Sequence, residues 1–333
     1  MKLLITGATG FIGSRLAYAA RRDGIEVIVT GQRNTPIEVA RKQQLEAAGI
    51  RVEVGALQDT AFAQRVTSGC SHVIHLAAAQ HEVNVPDRYF YDANVAATRL
   101  LLEACRLEKV TRFVYGSTIG VYGAATDGVL DEDSATRPLN IYGRTKLEAE
   151  GIVRQFGEDL ETTIIRISET YGPGDFRLLK LFRVIDKRRF VMIGSGLNRR
   201  QVIHVDDLAR GLLLTTEHRA APGQTFVLAG NEVMTTRGMV DAIAQALDRR
   251  LSAFHVPLWP VLVAAVGFEL ICKPLGIQPP LHRRRLDFFR KSFVFSTRKS
   301  EDLMGFRPTI SFSEGAVESA AWYRAHGYLN PSS

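Results

Sequence analysis

Cysteine is scarce: Cys70, Cys105 and Cys272 are the only three in 333 residues. They stand far apart in apolar surroundings, which excludes a disulfide framework and the paired spacing of a zinc site, and they read as packing residues. A membrane-spanning run is also lacking. The most apolar segment, 258–272, is interrupted by Glu269, contains Pro260 and Gly267, and falls short of the roughly 20 residues that cross a bilayer. No secretory leader is expected, since Met1-Lys2 runs straight into Leu3-Leu4-Ile5 and nothing there resembles a signal peptide. The expected compartment is the cytoplasm. Internal repeats and low-complexity tracts are missing as well, so solenoids and disordered tails are not expected.

What is present suits a folded enzyme-sized chain, with 46% hydrophobic residues to build a core. A formal net charge of +7 suits an anionic substrate, a phosphorylated cofactor, nucleic acid or an acidic membrane surface, and does not choose among them. Short β-branched runs at 3–6, 27–30, 52–54, 73–76, 113–115 and 163–167 alternate with helical stretches such as 15–23, 96–107 and 142–156. This alternation predicts an α/β chain with a Rossmann-type, doubly wound parallel sheet. Beyond Arg166 the pattern loosens into Tyr171-Gly172-Pro173-Gly174 and Gly194-Ser195-Gly196, then a strand at 226–228 and a helix at 236–247. We therefore expect a dinucleotide-binding domain at 1–166 with 201–229, and a smaller mixed α/β substrate domain at 167–200 with 230–330.

Two motifs carry the chemistry. Gly7-Ala8-Thr9-Gly10-Phe11-Ile12-Gly13 follows the first strand, at a spacing that turns strand into helix and brings backbone amides to a pyrophosphate. Tight helix–strand packing alone would use the same spacing. About twenty residues on, an NAD enzyme usually places a carboxylate against the adenosine ribose; this chain has Thr30-Gly31-Gln32-Arg33. With no acid there and Arg33 available to a 2′-phosphate, NADP(H) is favoured and NAD(H) remains the alternative. The second motif is Tyr142-Gly143-Arg144-Thr145-Lys146, which sets a phenol and an amine on one helix face. An ammonium beside a phenol lowers its pKa and makes Tyr142 a general acid or base. A third element, Tyr115-Gly116-Ser117-Thr118, ends the fifth strand, where a hydroxyl can meet a reacting oxygen.

In order along nearly the whole chain, these motifs resemble the extended short-chain dehydrogenase/reductase superfamily, its NAD-dependent epimerase/dehydratase group. His75-Leu76-Ala77-Ala78, Asn94-Val95 with Thr98, Val121-Tyr122-Gly123, Arg166, His204-Val205-Asp206-Asp207 and the stretch 303–308 add to the likeness. The resemblance implies Tyr142 as acid/base and Lys146 as the nicotinamide-ribose contact. Thr118 takes the catalytic hydroxyl position, with Ser117 beside it as second choice. It implies a cofactor set of Gly7, Thr9, Gly10, Phe11, Ile12, Gly13, Arg33, Leu57, Asp59, Ala77, Ala78, Asn94, Tyr142 and Lys146, with Leu57 and Asp59 bordering the adenine. His204, Asp206 and Asp207 are structural in this family, so no metal is expected. The helices at 96–107 and 142–156 imply a homodimer.

The substrate is harder to read. Dehydratases of the family commonly follow the catalytic threonine with Asp-Glu, and Ile119-Gly120 stands here, which argues against dehydration. Epimerases commonly have Asn where Glu169 stands, and an Arg-x-Gly-Asp-like contact where Arg290-Lys291-Ser292-Phe293 stands. The C-terminal half, from Pro257 through Pro279-Pro280-Leu281 to Phe288-Phe289 and Phe293, looks like the 3β-hydroxysteroid dehydrogenase-like branch. The leading expectation is hydride transfer at a secondary alcohol or ketone of a hydrophobic small molecule, with Thr118, Glu169, Arg199, Arg200 and Arg290 facing it. A nucleotide-sugar 4-epimerase using bound NAD is the alternative, and a dinucleotide-binding sensor or scaffold is the non-enzyme one. Nucleic acid is not expected, because no recognition module accompanies the basic residues. The apolar segment 258–272, followed by seven Lys/Arg against Asp287 in 283–299, allows a peripheral membrane contact. A pocket wall with a solvated basic face is favoured over it.

Overall fold

The computed structural model describes residues 1–80, 82, 85–123, 128–252, 254–272 and 283–330. The motif Pro279-Pro280-Leu281 lies outside them. The first half alternates β1 (Lys2–Thr6), α1 (Phe11–Arg22), β2 (Glu26–Gly31), α2 (Pro36–Ala47), β3 (Arg51–Val54), α3 (Thr60–Thr67) and β4 (His72–His75). Then come α4 (Asp87–Tyr91), α5 (Ala97–Leu107), β5 (Arg112–Thr118), α6 (Ile141–Gln155) and β6 (Glu161–Ile167). A wide π-type turn at Asp92–Ala96 joins α4 to α5. The rest comprises β7 (Thr170–Tyr171), α7 (Leu179–Asp186), β8 (Met192–Ile193), β9 (Arg199–Arg200), β10 (Ile203–His204), α8 (Val205–Glu217), β11 (Thr225–Leu228), β12 (Met234–Thr235), α9 (Thr236–Ala246) and β13 (His255–Val256). Helices α10 (Leu258–Cys272), α11 (Arg283–Arg290), α12 (Arg298–Met304) and α13 (Phe312–Ala325) complete it.

Seven strands form one parallel sheet in the order β11-β6-β5-β4-β1-β2-β3. Strand alternation sorts its side chains into two cores. Leu3, Ile5, Val29, Ile74 and Val114 face α1 and α8, whereas Leu4, Ile28, Val73, Phe113 and Ile164 face α3, α5 and α6. Both faces are covered, which explains why the strands read as continuous apolar runs. The three cysteines are buried, and burial pushes the thiols of Cys70 and Cys105 up, as packing residues require. A third core joins α7, α9 and α13 through Phe182, Val240, Ile243 and Tyr323. Met304 and Phe306, near the C-terminus, return to pack in the core beneath the main sheet.

The sheet order reverses between β1 and β4, so a crevice opens at the carboxyl ends of these strands. Gly7 starts the turn there with φ +72°, a conformation that disfavours side chains. Gly13 lets α1 pack down onto that turn: a Cβ on it would lie 2.5 Å from the Gly7 oxygen and 2.8 Å from the Ala8 Cα. Because backbone has nowhere to give, Gly13→Ala should lower unfolding free energy by about 1–3 kcal/mol. Urea denaturation of the cofactor-free protein measures this, and an unchanged midpoint would show that the contact relaxes freely.

Candidate functional site

Helix α1 begins at Gly10 with no side chain capping it, which leaves its first amides facing the crevice. By contrast α2 closes its N-terminus with a Thr35–Glu38 capping box, and α6 with Asn140, whose Oδ1 accepts from the Gly143 amide at 2.8 Å. The uncapped terminus therefore suits an anion. It lies in a cleft of about 490 Å³ lined by Gly7, Thr9, Gly10, Phe11, Ile12 and Gly13, by Leu57, Ala77 and Ala78, and by Ser117, Thr118, Tyr142 and Lys146. A dinucleotide fits this donor set, with amides for the pyrophosphate and apolar side chains for the rings.

Three of the expected cofactor contacts lie elsewhere. Arg33 is exposed and does not line the cleft; the guanidinium groups that do belong to Arg41, from α2, and to Arg177. Arg41 spans the opening, donating from Nη2 to the Gly174 oxygen (2.9 Å) and from Nη1 to the Thr9 oxygen (3.4 Å), with its guanidinium 5.9 Å from the Phe176 ring centre. Glu38 lines the same region. Asp59 caps α3 by accepting from the Ala61 and Phe62 amides, at 2.9 and 3.3 Å. Asn94 is buried and clamps the loop after β4: its Oδ1 accepts from the Ala79 amide (2.7 Å), and its Nδ2 donates to the Ala79 oxygen and to Thr145 Oγ1. That contact ties the loop to α6, where Tyr142 and Lys146 stand.

A neutral hydrogen-bond chain supports the same loop. Thr6 Oγ1 accepts from the Leu76 and Ala77 amides, so its proton goes to His75 Nδ1 at 2.6 Å. His75 Nε2 must then carry the ring proton and donate to Thr98 Oγ1 (3.0 Å), whose hydroxyl donates to the Asn94 oxygen (2.7 Å). Burial, aided by the Lys146 charge, lowers the His75 pKa to about 3, which keeps the ring neutral.

Ser117 is occupied, since its hydroxyl donates to Glu150 Oε1 at 2.6 Å. Glu150 is fully buried and accepts a two-pronged bond from Arg166, Nε to Oε1 (3.1 Å) and Nη2 to Oε2 (2.9 Å). Burial pushes this carboxyl up, but Arg166, Ser117 and Arg154 outweigh it and hold the group below the usual carboxylate range. Thr118, one residue on, accepts from the Gly120 amide at 3.0 Å, and its hydroxyl is the one that acts on the Tyr142 phenol. The expected lowering of the phenol by Lys146 is not what the geometry gives. Burial pushes Tyr142 up to about 12 against the Thr118 hydrogen bond and the Arg177 charge, and burial pushes Lys146 down to about 7 against Glu150. The amine instead sits 4.1 Å from the centre of the Tyr115 ring.

A second cavity, of about 920 Å³, adjoins the cleft, and the two share Thr170, Asp175 and Arg177. Ile119 and Gly120 lead into it from Thr118, while Arg177, Lys180, Arg200, Arg290 and Lys291 supply its cations and Phe288, Phe289 and Phe293 an aromatic wall. Glu169 lines it in an ion pair with Arg200, whose guanidinium stacks 4.5 Å from the Phe288 ring centre. Arg290 lines it paired with Asp287 at 3.0 Å. Arg199 is exposed and does not line the cavity; its backbone pairs with Thr235. Motif reading missed Arg41, Glu150 and Arg177, of which only Glu150 carried a signal, as a charge on the buried side of a helix.

A model of the NAD dependent epimerase/dehydratase family matches residues 3–229. The chain belongs to this family. Within it, a dTDP-glucose 4,6-dehydratase of Streptomyces griseus is 30% identical over 97% of this chain and 94% of its own length. An N-acetyl-alpha-D-glucosaminyl-diphospho-ditrans,octacis-undecaprenol 4-epimerase of Escherichia coli O157:H7 is 24% identical over 97% of this chain and 96% of its own. Among solved structures, MoeE5 in complex with UDP-glucuronic acid and NAD is similar with a TM-score of 0.76 and 26% identity, over 98% of this chain and 100% of that one.

Lys146 generates a stability test. Folded, its amine titrates at about 7; unfolded, near its ordinary 10.5. Below pH 7 both states hold the proton and the burial penalty is present in full. Between 7 and 10.5 the unfolded chain binds more protons, so stability rises with pH and the penalty disappears. The melting-temperature advantage of Lys146→Met over the wild type should therefore shrink as pH goes from 7 to 10. A difference constant with pH would show that the amine titrates normally.

Proposed function

We propose that this protein is an NAD-dependent 4-epimerase of a sugar carried on a diphosphate, as in a nucleotide sugar. The observation that carries the reading is the junction of the two hollows. Thr118 and Tyr142 stand in the cofactor cleft, and the next residues, Ile119 and Gly120, open into a cavity with several cations and an aromatic wall. Cations suit a diphosphate and aromatic rings suit a base. Three relatives support the substrate class: their names carry dTDP-glucose, UDP-glucuronic acid and a diphospho-linked sugar. Epimerisation is preferred to dehydration because elimination needs a further acid and base beside the sugar. Ile119 and Gly120 supply neither; of the acids that line the cavity, Glu169, Asp175 and Asp287 are engaged by Arg200, Arg177 and Lys291, and Glu269 has a partner of its own.

Bound NAD supplies a hydride acceptor and donor. The chain's own residues handle the proton and the geometry. Tyr142 takes the hydroxyl proton as the sugar carbon is oxidised and returns it to the ketone oxygen on reduction, while Thr118 holds that oxygen. With its pKa raised, the resting phenol is the proton-bearing form, and Arg177 is the cation that favours its loss. Lys146 and the α1 amides hold the cofactor, with Arg41 closing over it. NAD replaces the NADP first expected because Arg33 stays outside the cleft and Glu38 lines it, a poor neighbour for a 2′-phosphate.

A second reading, oxidation or reduction of a bulky apolar alcohol, rests on the apolar part of the cavity lining, where Leu178, Leu181, Met239 and the phenylalanines meet.

Nucleotide released from the heat-denatured protein separates the two: close to one NAD per chain supports epimerisation, and an empty site that prefers added NADPH overturns it. Tyr142→Phe should lower kcat by about 100-fold or more while leaving NADH binding, followed by fluorescence, within twofold or so. Arg41→Ala should leave the chemistry intact and speed NADH release about tenfold or more, given the strength of charge-assisted hydrogen bonds to phosphate. Unchanged release would remove Arg41 from the cofactor site.

A further inference from the structure

Helix α10 exposes what a core helix would bury. Trp259, Val263, Val266 and Leu270 recur at the spacing of one helix face, and they are 71%, 64%, 37% and 71% exposed. Phe254, just before the helix, is exposed as well, and Phe268 on the opposite side of the helix is 41% exposed. Among the described side chains of α10, only Ala265 and Cys272 are buried, and Glu269 is its single charged residue. At 15 residues the helix is about 22 Å long, short of the roughly 30 Å of a hydrocarbon core. No helix among the described residues is long and apolar enough to cross a membrane. A contiguous apolar surface of this kind marks a contact with something else.

The charge around it says what that is. The exposed residues Lys187, Arg188 and Arg189 lead into β8, which pairs with β13 immediately before α10. Arg250, also exposed, lies on the approach to β13. On the far side, α11 contacts α10 and opens with Arg283-Arg284-Arg285 in the sequence. The acids nearby are partly spent: Asp186 is buried against Arg249 at 3.1 Å, and Asp287 pairs with Arg290 and Lys291. A second copy of this chain seated on the helix would bring like cations together, which opposes a symmetric dimer through this face. An anionic lipid surface satisfies both features, taking tryptophan and phenylalanine at headgroup depth and the cations at its phosphates.

We infer that α10 docks this protein on the surface of an anionic phospholipid bilayer, lying in the plane of the interface. Glu269 of this helix and Phe288 and Phe289 of α11 also line the large cavity, so docking sets one wall of that cavity against the lipid.

Co-sedimentation of the full chain with vesicles tests this. Binding to phosphatidylcholine vesicles containing a quarter phosphatidylglycerol should be about tenfold tighter or more than to phosphatidylcholine alone, and should weaken in raised salt. The double substitution Val263→Glu with Leu270→Glu should reduce that binding about tenfold or more, because both acids fall on the apolar face. Its melting temperature should be unchanged, since both positions are exposed. Failure of the wild type to bind the anionic vesicles, or undiminished binding by the variant, overturns the inference. So does self-association of the wild type in sedimentation velocity that the variant abolishes, which would assign the face to a second copy. If the double variant does not fold, the lipid and salt comparison on the wild type decides alone.

Discussion

One buried carboxylate holds the reactive corner of this protein together. Glu150, on α6, takes the Ser117 hydroxyl from β5 and both prongs of the Arg166 guanidinium from β6. Arg166 continues outward to the Tyr122 hydroxyl at 3.1 Å and the Glu132 oxygen at 2.8 Å, so the segment after β5 is tied into the same knot. Three elements that carry Thr118, Tyr142 and the start of the second cavity are thus fixed to one another by charge-assisted bonds. Such a pair contributes little net stability compared with apolar packing, yet losing one partner strands a buried charge at about 3–5 kcal/mol. What the carboxylate fixes is orientation, since a hydroxyl on β5 and a guanidinium on β6 both donate to the same group on α6.

The same burial that makes the network specific sets the chemistry beside it. Lys146 is buried and Tyr142 half-buried in the cleft wall, and desolvation acts on them in opposite directions, up for the phenol and down for the amine. Both shifts favour the uncharged form. The protonated phenol is consequently the favoured form, and Arg177, at the border with the larger cavity, is a cation that opposes this shift.

The strands were legible because a parallel sheet buried on both faces demands unbroken apolar runs, and all six early runs became neighbours in one sheet. The glycine loop was legible because its spacing is enforced by backbone contact at Gly7 and Gly13. Side-chain destinations were less so. Asp59 and Asn94 sit at positions that the family resemblance assigns to the cofactor, yet their hydrogen bonds are spent on backbone groups and, for Asn94, also on Thr145 Oγ1, an outcome that depends on loop geometry. Helix α2 was not foreseen, since it has one buried residue, Leu45, and is started by a capping box rather than an apolar stripe. The small strands β7 to β10, two residues each, carry no periodicity at all.

Arg33 and Arg41 stand close in the sequence, and Arg41 is the one of the two that reaches the cleft. No carboxylate stands in Thr30-Gly31-Gln32-Arg33 at the end of β2, and a cation nearby is the natural counterpart. But Arg33 follows the end of β2 in an exposed loop, whereas α2 turns the chain back and brings Arg41, eight residues later, over the cleft. There its guanidinium is half-enclosed, stacked near Phe176 and bonded to carbonyls on both walls, with Glu38 and Asp175 as its charged neighbours. A cation so held lies beside the glycine loop, near the uncapped end of α1. Gln32, Thr35 and Glu38 line the same cleft, so a carboxylate stands there even without the usual acid at the strand end.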